Sequence, residues 1–331
     1  MDLQERINLM AQIGEYFKAD NEEWQEVKQK AFYKNGWFTP EFTQYAALQL
    51  ANNFLDKTKL EEWVSHYHID DNITPKNIGI VMAGNIPMVG FQDFLCVFIS
   101  GHYQTVKLSS KDDVLLKHIF QVMYKLNIET QNHVSISEML KGCDAYIATG
   151  SNNSGRYFEQ YFAKYPNIIR RNRTSVAILT GEETADELVR LSDDIHLYFG
   201  LGCRSITKIY VPQGYDFVPL LKAFEPYKYF ADHHKYKNNY DYQLSILLLN
   251  NIYYMTDDST LLIENEGLFS PISQLHYEFY KAGGYPAEEL AGNNDIQCIV
   301  GKKYTPFGES QNPALYAYAD GVDTMEFLLT V

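Results

Sequence analysis

The segment Gly200-Leu201-Gly202-Cys203-Arg204-Ser205 puts a thiol behind two glycines and directly ahead of the run Ile206-Thr207-Lys208-Ile209-Tyr210-Val211. Glycine frees the backbone from Cβ constraints, and β-branched and aromatic residues favour a strand, so the thiol falls at a loop-to-strand junction. A thiolate exposed there attacks carbonyl carbon well, and nearby positive charge or backbone dipoles lower its pKa. Taken alone, a cysteine is more often a small core residue. Cys96, Cys143 and Cys298 have no CxxC or Cys/His spacing around them, so neither a disulfide framework nor a metal site is expected.

Other segments carry weaker signals. Gly84-Asn85-Ile86-Pro87 follows a strand-like run, and an asparagine amide there can donate to a developing oxyanion or simply tolerate a turn. Gly150-Ser151-Asn152-Asn153-Ser154-Gly155 joins a strand to a helix, whose first N–H groups could meet a pyrophosphate, although it is not GxGxxG. Lys107, at a strand end, could bind a ribose hydroxyl or phosphate, or be solvated. Arg170, Arg171 and Arg173 form the one tight basic cluster, readable as a nucleotide contact or as a solvated loop. His196 precedes Cys203 by about two turns if one helix is unbroken. It could assist the thiol, but a helix-face histidine is the plainer reading. His66, His68, His233 and His234 lack carboxylate or cysteine companions at ligand spacing.

Elements of an α/β protein must position these residues. Leu3, Ile7, Met10, Ile13 and Phe17 recur at helical spacing, and the helical pattern continues to about residue 65. Strands are expected at 78–82, 105–108, 145–149, 175–179 and 206–211. Helices are expected at 88–99, 112–125, from about 151 to 164, and around Ala185, Leu188 and Leu191. That alternation implies a parallel sheet with helices on both faces. The length of 331 residues suggests two domains, and no linker composition separates them. Lys and Arg total 28 against 42 Asp and Glu, a net charge of −14, which argues against a nucleic-acid partner. The longest apolar runs are too short to span a bilayer and the N-terminus carries no leader pattern, so a cytoplasmic protein is expected.

The order of these motifs resembles the aldehyde dehydrogenase superfamily, and within it the LuxC-like acyl-CoA reductase family, from about Ile78 to the C-terminus. Asn85-Ile86-Pro87 stands where that superfamily has an Asn-x-Pro turn whose asparagine helps form the oxyanion hole. Lys107-Leu108-Ser109-Ser110 stands for its Lys-Pro-Ser-Glu segment on the adenosine ribose, and Thr149-Gly150-Ser151 for its cofactor-covering Thr-Gly-Ser turn. Gly200 to Cys203 matches its Gly-x-x-Cys nucleophile segment. Glu264-Asn265-Glu266-Gly267-Leu268-Phe269-Ser270-Pro271 corresponds to Glu-x-Phe-Gly-Pro, offset by one, which assigns the nicotinamide ribose to Glu266, with Glu264 as the alternative and Phe269 beside it.

Two departures sharpen what the resemblance implies. Ser110, followed by Lys111, replaces the acid that would repel a 2′-phosphate, which favours NADP(H) over NAD. Arg170 to Ser175 holds no acid where hydrolytic members carry the glutamate that activates water. The implied activity is therefore reduction of an acyl thioester, fatty acyl-CoA or acyl-protein, to an aldehyde through an acyl group on Cys203. A cysteine acyltransferase without reduction and a degenerate scaffold paralogue are the alternatives. The implied architecture is N-terminal helices with a Rossmann-like cofactor domain over 1–173, a catalytic α/β domain over 174–310, and a tail at 311–331 returning to a sheet or a partner subunit. Superfamily members are commonly dimers or tetramers, so a homo-oligomer is expected.

Overall fold

The computed structural model describes residues 1–280, 286 and 290–331, which divide into two compact units, Met1–Asn172 with Pro313–Val331, and Arg173–Asn312. The first unit opens with four helices, α1 (Leu3–Ala19), α2 (Glu22–Lys34), α3 (Pro40–Asn53) and α4 (Lys57–His66). Each starts at a side chain that accepts an otherwise orphaned first-turn N–H: Asp2, Asn21, Thr39 and Asp56.

A five-stranded parallel sheet follows, made of β1 (Asn77–Val81), β2 (Tyr103–Lys107), β3 (Val134–Ile136), β4 (Ala145–Thr149) and β5 (Asn167–Arg170), in the order β3-β2-β1-β4-β5. Helices α5 (Phe91–Ser100), α6 (Asp113–Leu126), α7 (Thr130–His133) and α8 (Asn152–Phe162) connect the strands. The central strands are apolar on both faces, with Ile80 in register with Val106 on one side and Ile147 on the other, as a sheet covered by helices requires. Strand order reverses between β1 and β4, and in open α/β sheets ligands bind at the carboxyl ends of the strands at that reversal.

The chain returns to this unit at Pro313, and its last helix packs on α5, so within this chain the tail supplies a helix and not a strand. Arg170 secures it. Its guanidinium is 3% exposed, donates to both oxygens of Asp93 at 3.2 and 2.8 Å and to Thr324 Oγ1 at 2.6 Å, and also reaches the Ala319 carbonyl. The solvated-loop reading of the arginine cluster therefore fails for Arg170, which is a buried ion-pair anchor. A planar guanidinium can fill several acceptors at once, which is what burial of its charge demands.

The second unit holds six strands in the order β11-β6-β7-β10-β9-β8. They are β6 (Thr174–Ile178), β7 (Ile206–Pro212), β8 (Met255–Thr256), β9 (Leu261–Glu264), β10 (Gln274–Tyr280) and β11 (Ile296–Val300), all parallel to their neighbours except the short edge strand β8. Helices α9 (Ala185–His196), α10 (Val218–Ala223) and α11 (His234–Leu249) belong to this unit, and the tail helix of the first unit is α12 (Thr324–Leu329). Leu188, Leu191 and Ile195 of α9 pack with Leu220 and Phe224 against Ala177, Ile209, Val211, Leu262 and Leu275 of the sheet. Val176, Ile178, Tyr210 and Ile296 form a smaller apolar cluster. The molecule is thus α/β, with a Rossmann-like unit carrying N-terminal helices and a second α/β unit.

Candidate active site

Cys203 lies two residues before Ser205 and three before the start of β7, half-exposed, in a turn closed by Ser205 N–H donating to the Gly202 carbonyl at 3.0 Å. The turn is tied down from several sides. Ser205 Oγ accepts from Gly202 N–H at 3.1 Å and from Gln311 Nε2 at 3.1 Å. Ser175 Oγ donates to the Cys203 carbonyl at 3.0 Å and accepts the Cys298 N–H at 3.1 Å. These bonds fix the backbone of the cysteine while its side chain keeps access to solvent, the arrangement a positioned nucleophile needs.

The approach to this turn is strained. Tyr198, Phe199 and Gly200 have φ of 56°, 58° and 71°, a left-handed run in which each non-glycine residue costs about 1–2 kcal/mol. Tertiary packing holds it: the Phe199 ring lies 4.5 Å from both Phe230 and His233, and both aromatic side chains of the run are buried. The unbroken helix that would have set His196 two turns from Cys203 does not exist, because α9 ends at His196.

His196 is committed elsewhere. Its Nδ1 lies 2.8 Å from the Ser192 carbonyl, so that nitrogen carries the proton, and Nε2 accepts from Thr260 Oγ1 at 3.0 Å. The ring stacks on Tyr227 at 4.7 Å and is fully enclosed. Burial pushes its pKa down to about 4 from the ordinary 6.5, against the opposing pull of the Ser192 carbonyl. The folded chain resists protonating it, so its stabilising contribution is complete above pH 6.5 and is lost as pH falls toward 4, a loss on the order of 3 kcal/mol. Other buried histidines act in the same direction, so the comparison must be differential. Denaturant melts at pH 7, 5.5 and 4 should show His196→Gln with lower stability at pH 7 but a shallower acid limb, by up to about one proton's slope. Parallel limbs would refute the assignment.

In the first unit, Met82-Ala83-Gly84-Asn85-Ile86-Pro87 leaves the carboxyl end of β1. A Cβ on Gly84 would lie 2.5 Å from Ser109 Oγ and 3.2 Å from Asp112 Cβ, so only glycine lets the loop pass over the end of β2. Asp112 latches this loop: its Oδ2 accepts Met88 N–H at 2.6 Å, while Oδ1 has no partner among the described residues. Burial drives its pKa well above the ordinary carboxylate range, with the Met88 bond opposing. The helix expected over 112–125 does not by itself foresee this role; the double acid Asp112-Asp113 is the signal the sequence offers. Asp113 meanwhile pairs with Lys117 at 2.8 Å and with Lys34.

Asn85 is half-exposed on this loop, Lys107 ends β2 exposed, and Ser109 follows it half-exposed. Gly150 and Ser151 leave the carboxyl end of the adjacent strand β4. A Cβ on Gly150 would meet Phe158 and Ser154 of α8 at 2.8 Å, so glycine here allows the helix start to approach the strand end. Ser151 caps α8 by accepting Ser154 N–H at 3.3 Å. Asn85, Lys107, Ser109, Gly150 and Ser151 therefore gather at the carboxyl ends of β1, β2 and β4, around the order reversal. This is the end of the sheet where open α/β folds place ligands, beside the start of α8.

Cys203, Glu266 and Phe269 belong to the second unit. Glu264 ends β9, and Glu266 and Phe269 are exposed on the connection 265–273 that leads to β10. Among the described residues, no group of three or more His, Cys, Asp or Glu could hold a metal ion, and no helix is long and apolar enough to cross a membrane. His233 caps α11, its Nδ1 accepting Tyr236 N–H at 3.3 Å, and His66 packs edge-on against Tyr67 and Tyr316.

No family model and no curated protein matches the chain in sequence. Solved structures match its fold. Aldehyde dehydrogenase 21 from Physcomitrella patens, in complex with the reaction product succinate, superposes with a TM-score of 0.67 at 14% identity, covering 91% of this chain and 74% of that one. An NAD-dependent aldehyde dehydrogenase from Sinorhizobium meliloti gives 0.66 at 12% identity, with 91% and 70% covered. Betaine aldehyde dehydrogenase from Staphylococcus aureus, in complex with NAD+, gives 0.65 at 12% identity, with 91% and 71% covered. The fold is therefore aldehyde-dehydrogenase-like.

Proposed function

We propose that the protein is an acyl thioester reductase that forms an acyl-enzyme on Cys203 and releases an aldehyde. The observation that carries this reading is the half-exposed Cys203 at the head of β7, its backbone fixed through Ser175, Ser205 and Gln311 in a unit of aldehyde-dehydrogenase-like fold. The Cys203 sulfur attacks the thioester carbonyl, the oxyanion is met by the Cys203 N–H and the Asn85 amide, and the departing thiolate leaves the acyl group on Cys203. A bound reduced nicotinamide supplies the hydride that takes this acyl group to the aldehyde level. Lys107, Ser109, Gly150 and Ser151 are the residues that would hold the adenosine and phosphate portions, and Glu266 with Phe269 the nicotinamide ribose. The exposed Lys107 and Lys111 and the absence of an acid at Ser110 support NADP(H), and the neighbouring Asp112 is buried beneath the loop with its Oδ2 taken by the Met88 N–H. The lack of an acid across 170–175 favours thioester reduction over aldehyde oxidation to a free acid.

A single-turnover reaction with purified protein, NADPH and acyl-CoA of short and long chain, followed at the nicotinamide absorbance, tests this. Acyl-CoA-dependent oxidation of NADPH is expected, with aldehyde as product. NADPH left untouched while mass spectrometry finds an acyl group on the protein would instead identify an acyltransferase. Neither signal would leave the scaffold reading.

A further inference from the structure

Strands β9 and β10 are parallel neighbours, so the connection 265–273 must run back along the sheet from the end of one to the start of the other. Parallel crossovers usually do this with a helix, whose own ladder satisfies its backbone. This one contains no helix, and its carbonyls must find partners elsewhere. Three of them, on consecutive residues, find side-chain donors of the neighbouring strands. Lys208 Nζ donates to the Glu266 carbonyl at 2.7 Å, His276 Nδ1 to the Gly267 carbonyl at 2.8 Å, and Thr207 Oγ1 to the Leu268 carbonyl at 2.7 Å.

The donors stand on adjacent strands, with Lys208 of β7 directly in register with His276 of β10. Lys208 is 1% exposed, an uncommon place for an ammonium. Its charge is met by Glu278 Oε2 at 2.5 Å and by the face of the Tyr210 ring at 4.9 Å. Thr207 is itself held by Thr174 Oγ1 at 2.5 Å. Burying a lysine in a sheet otherwise built for apolar packing is costly, and the bond it makes is to the backbone of the residue that carries the exposed Glu266 carboxylate.

We propose that Thr207, Lys208 and His276 are positioning residues that preset the 265–269 backbone for the nicotinamide half of the cofactor, a role that rests on the reductase reading above. They need not touch the cofactor; they fix the segment presenting Glu266 and Phe269, so the ordering entropy is met on folding and not on binding.

Three variants test it: Lys208→Met, Lys208→Arg as the conservative rescue, and Thr207→Val as a milder probe should the methionine variant fail to fold. Binding is measured for NADPH or NADH, whichever the wild type takes, and for the matching adenosine-half fragment, adenosine 2′,5′-diphosphate or ADP. Amide hydrogen exchange of the 265–271 segment gives a readout independent of activity. Lys208→Met should weaken the dinucleotide about tenfold and Thr207→Val severalfold, leave the fragment unchanged, and speed exchange across 265–271, with Lys208→Arg restoring both. Equal weakening of dinucleotide and fragment, or unchanged binding and exchange in a wild-type background that binds the cofactor, would overturn the positioning role. A wild type that binds neither nucleotide would instead overturn the reductase reading, and this role with it.

Discussion

Replacing Cys203 by alanine is expected to lower acyl-CoA-dependent NADPH oxidation by about four orders of magnitude or more, because removing a covalent nucleophile eliminates the route and does not merely slow it. The acyl adduct on the protein should vanish with it. Nucleotide binding should persist, since Lys107, Ser109, Gly150 and Ser151 belong to the other unit, and Glu266 and Phe269 are carried by the connection 265–273 and not by the Cys203 turn. Stability should change little: Cys203 is half-exposed, and the bonds that hold its turn use its backbone carbonyl and the side chains of Ser175, Ser205 and Gln311. Alanine keeps every one of them. The control that gives the result its meaning is Cys298→Ala. Cys298 shares Ser175 with Cys203, yet burial pushes its thiol pKa up and holds it in the protonated, less nucleophilic form, so its loss should leave the acyl adduct in place. An adduct that survives in Cys203→Ala and disappears in Cys298→Ala would move the nucleophile to β11.

Several parts of this design could be read from the residues alone, for physical reasons that can be named. The run Ala145 to Ala148 is free of charged residues, fully buried and followed by Thr149 and a glycine turn, so a buried parallel strand over 145–149 is legible to the residue, as is the turn after it. Gly200, Gly202 and the β-branched run behind Cys203 marked the loop-to-strand junction. The left-handed run at Tyr198 and Phe199 was not legible, because neither residue type favours positive φ; the conformation is imposed by packing against Phe230 and His233 that comes from far along the chain. For the same reason the helix seemed able to continue past His196. Strand β10 escaped notice because Gln274, His276 and Glu278 interrupt it, and only the tertiary structure reveals that His276 holds a carbonyl and Glu278 a buried lysine. Arg170 was legible as a charge but not as a buried one, since its partners Asp93 and Thr324 lie 77 and 154 residues away.

Asn85→Ala is expected to lower kcat about 10²–10³-fold while leaving nucleotide affinity unchanged. Gly84 passes over Ser109, and Asp112 holds Met88 N–H, and these two anchors should keep the backbone path of the loop when position 85 is alanine. What it removes is an amide donor. In the proposed reaction an oxyanion forms at the same carbonyl oxygen twice, when the thiol attacks the thioester and again when hydride reaches the acyl group on Cys203. A donor that binds this oxygen more tightly in those states than in the ground state must therefore slow both steps. Stopped-flow measurement of acyl transfer to Cys203 without nucleotide, and of nicotinamide oxidation by preformed acyl-enzyme, separates them. A comparable fall in both rates with an unchanged dissociation constant for NADPH is the signature of an oxyanion donor. A rise in that dissociation constant with normal acylation would place Asn85 in nucleotide binding. Unaltered rates in both steps would return it to the plain turn residue that its sequence context also allowed, and would leave the Cys203 N–H without its proposed companion.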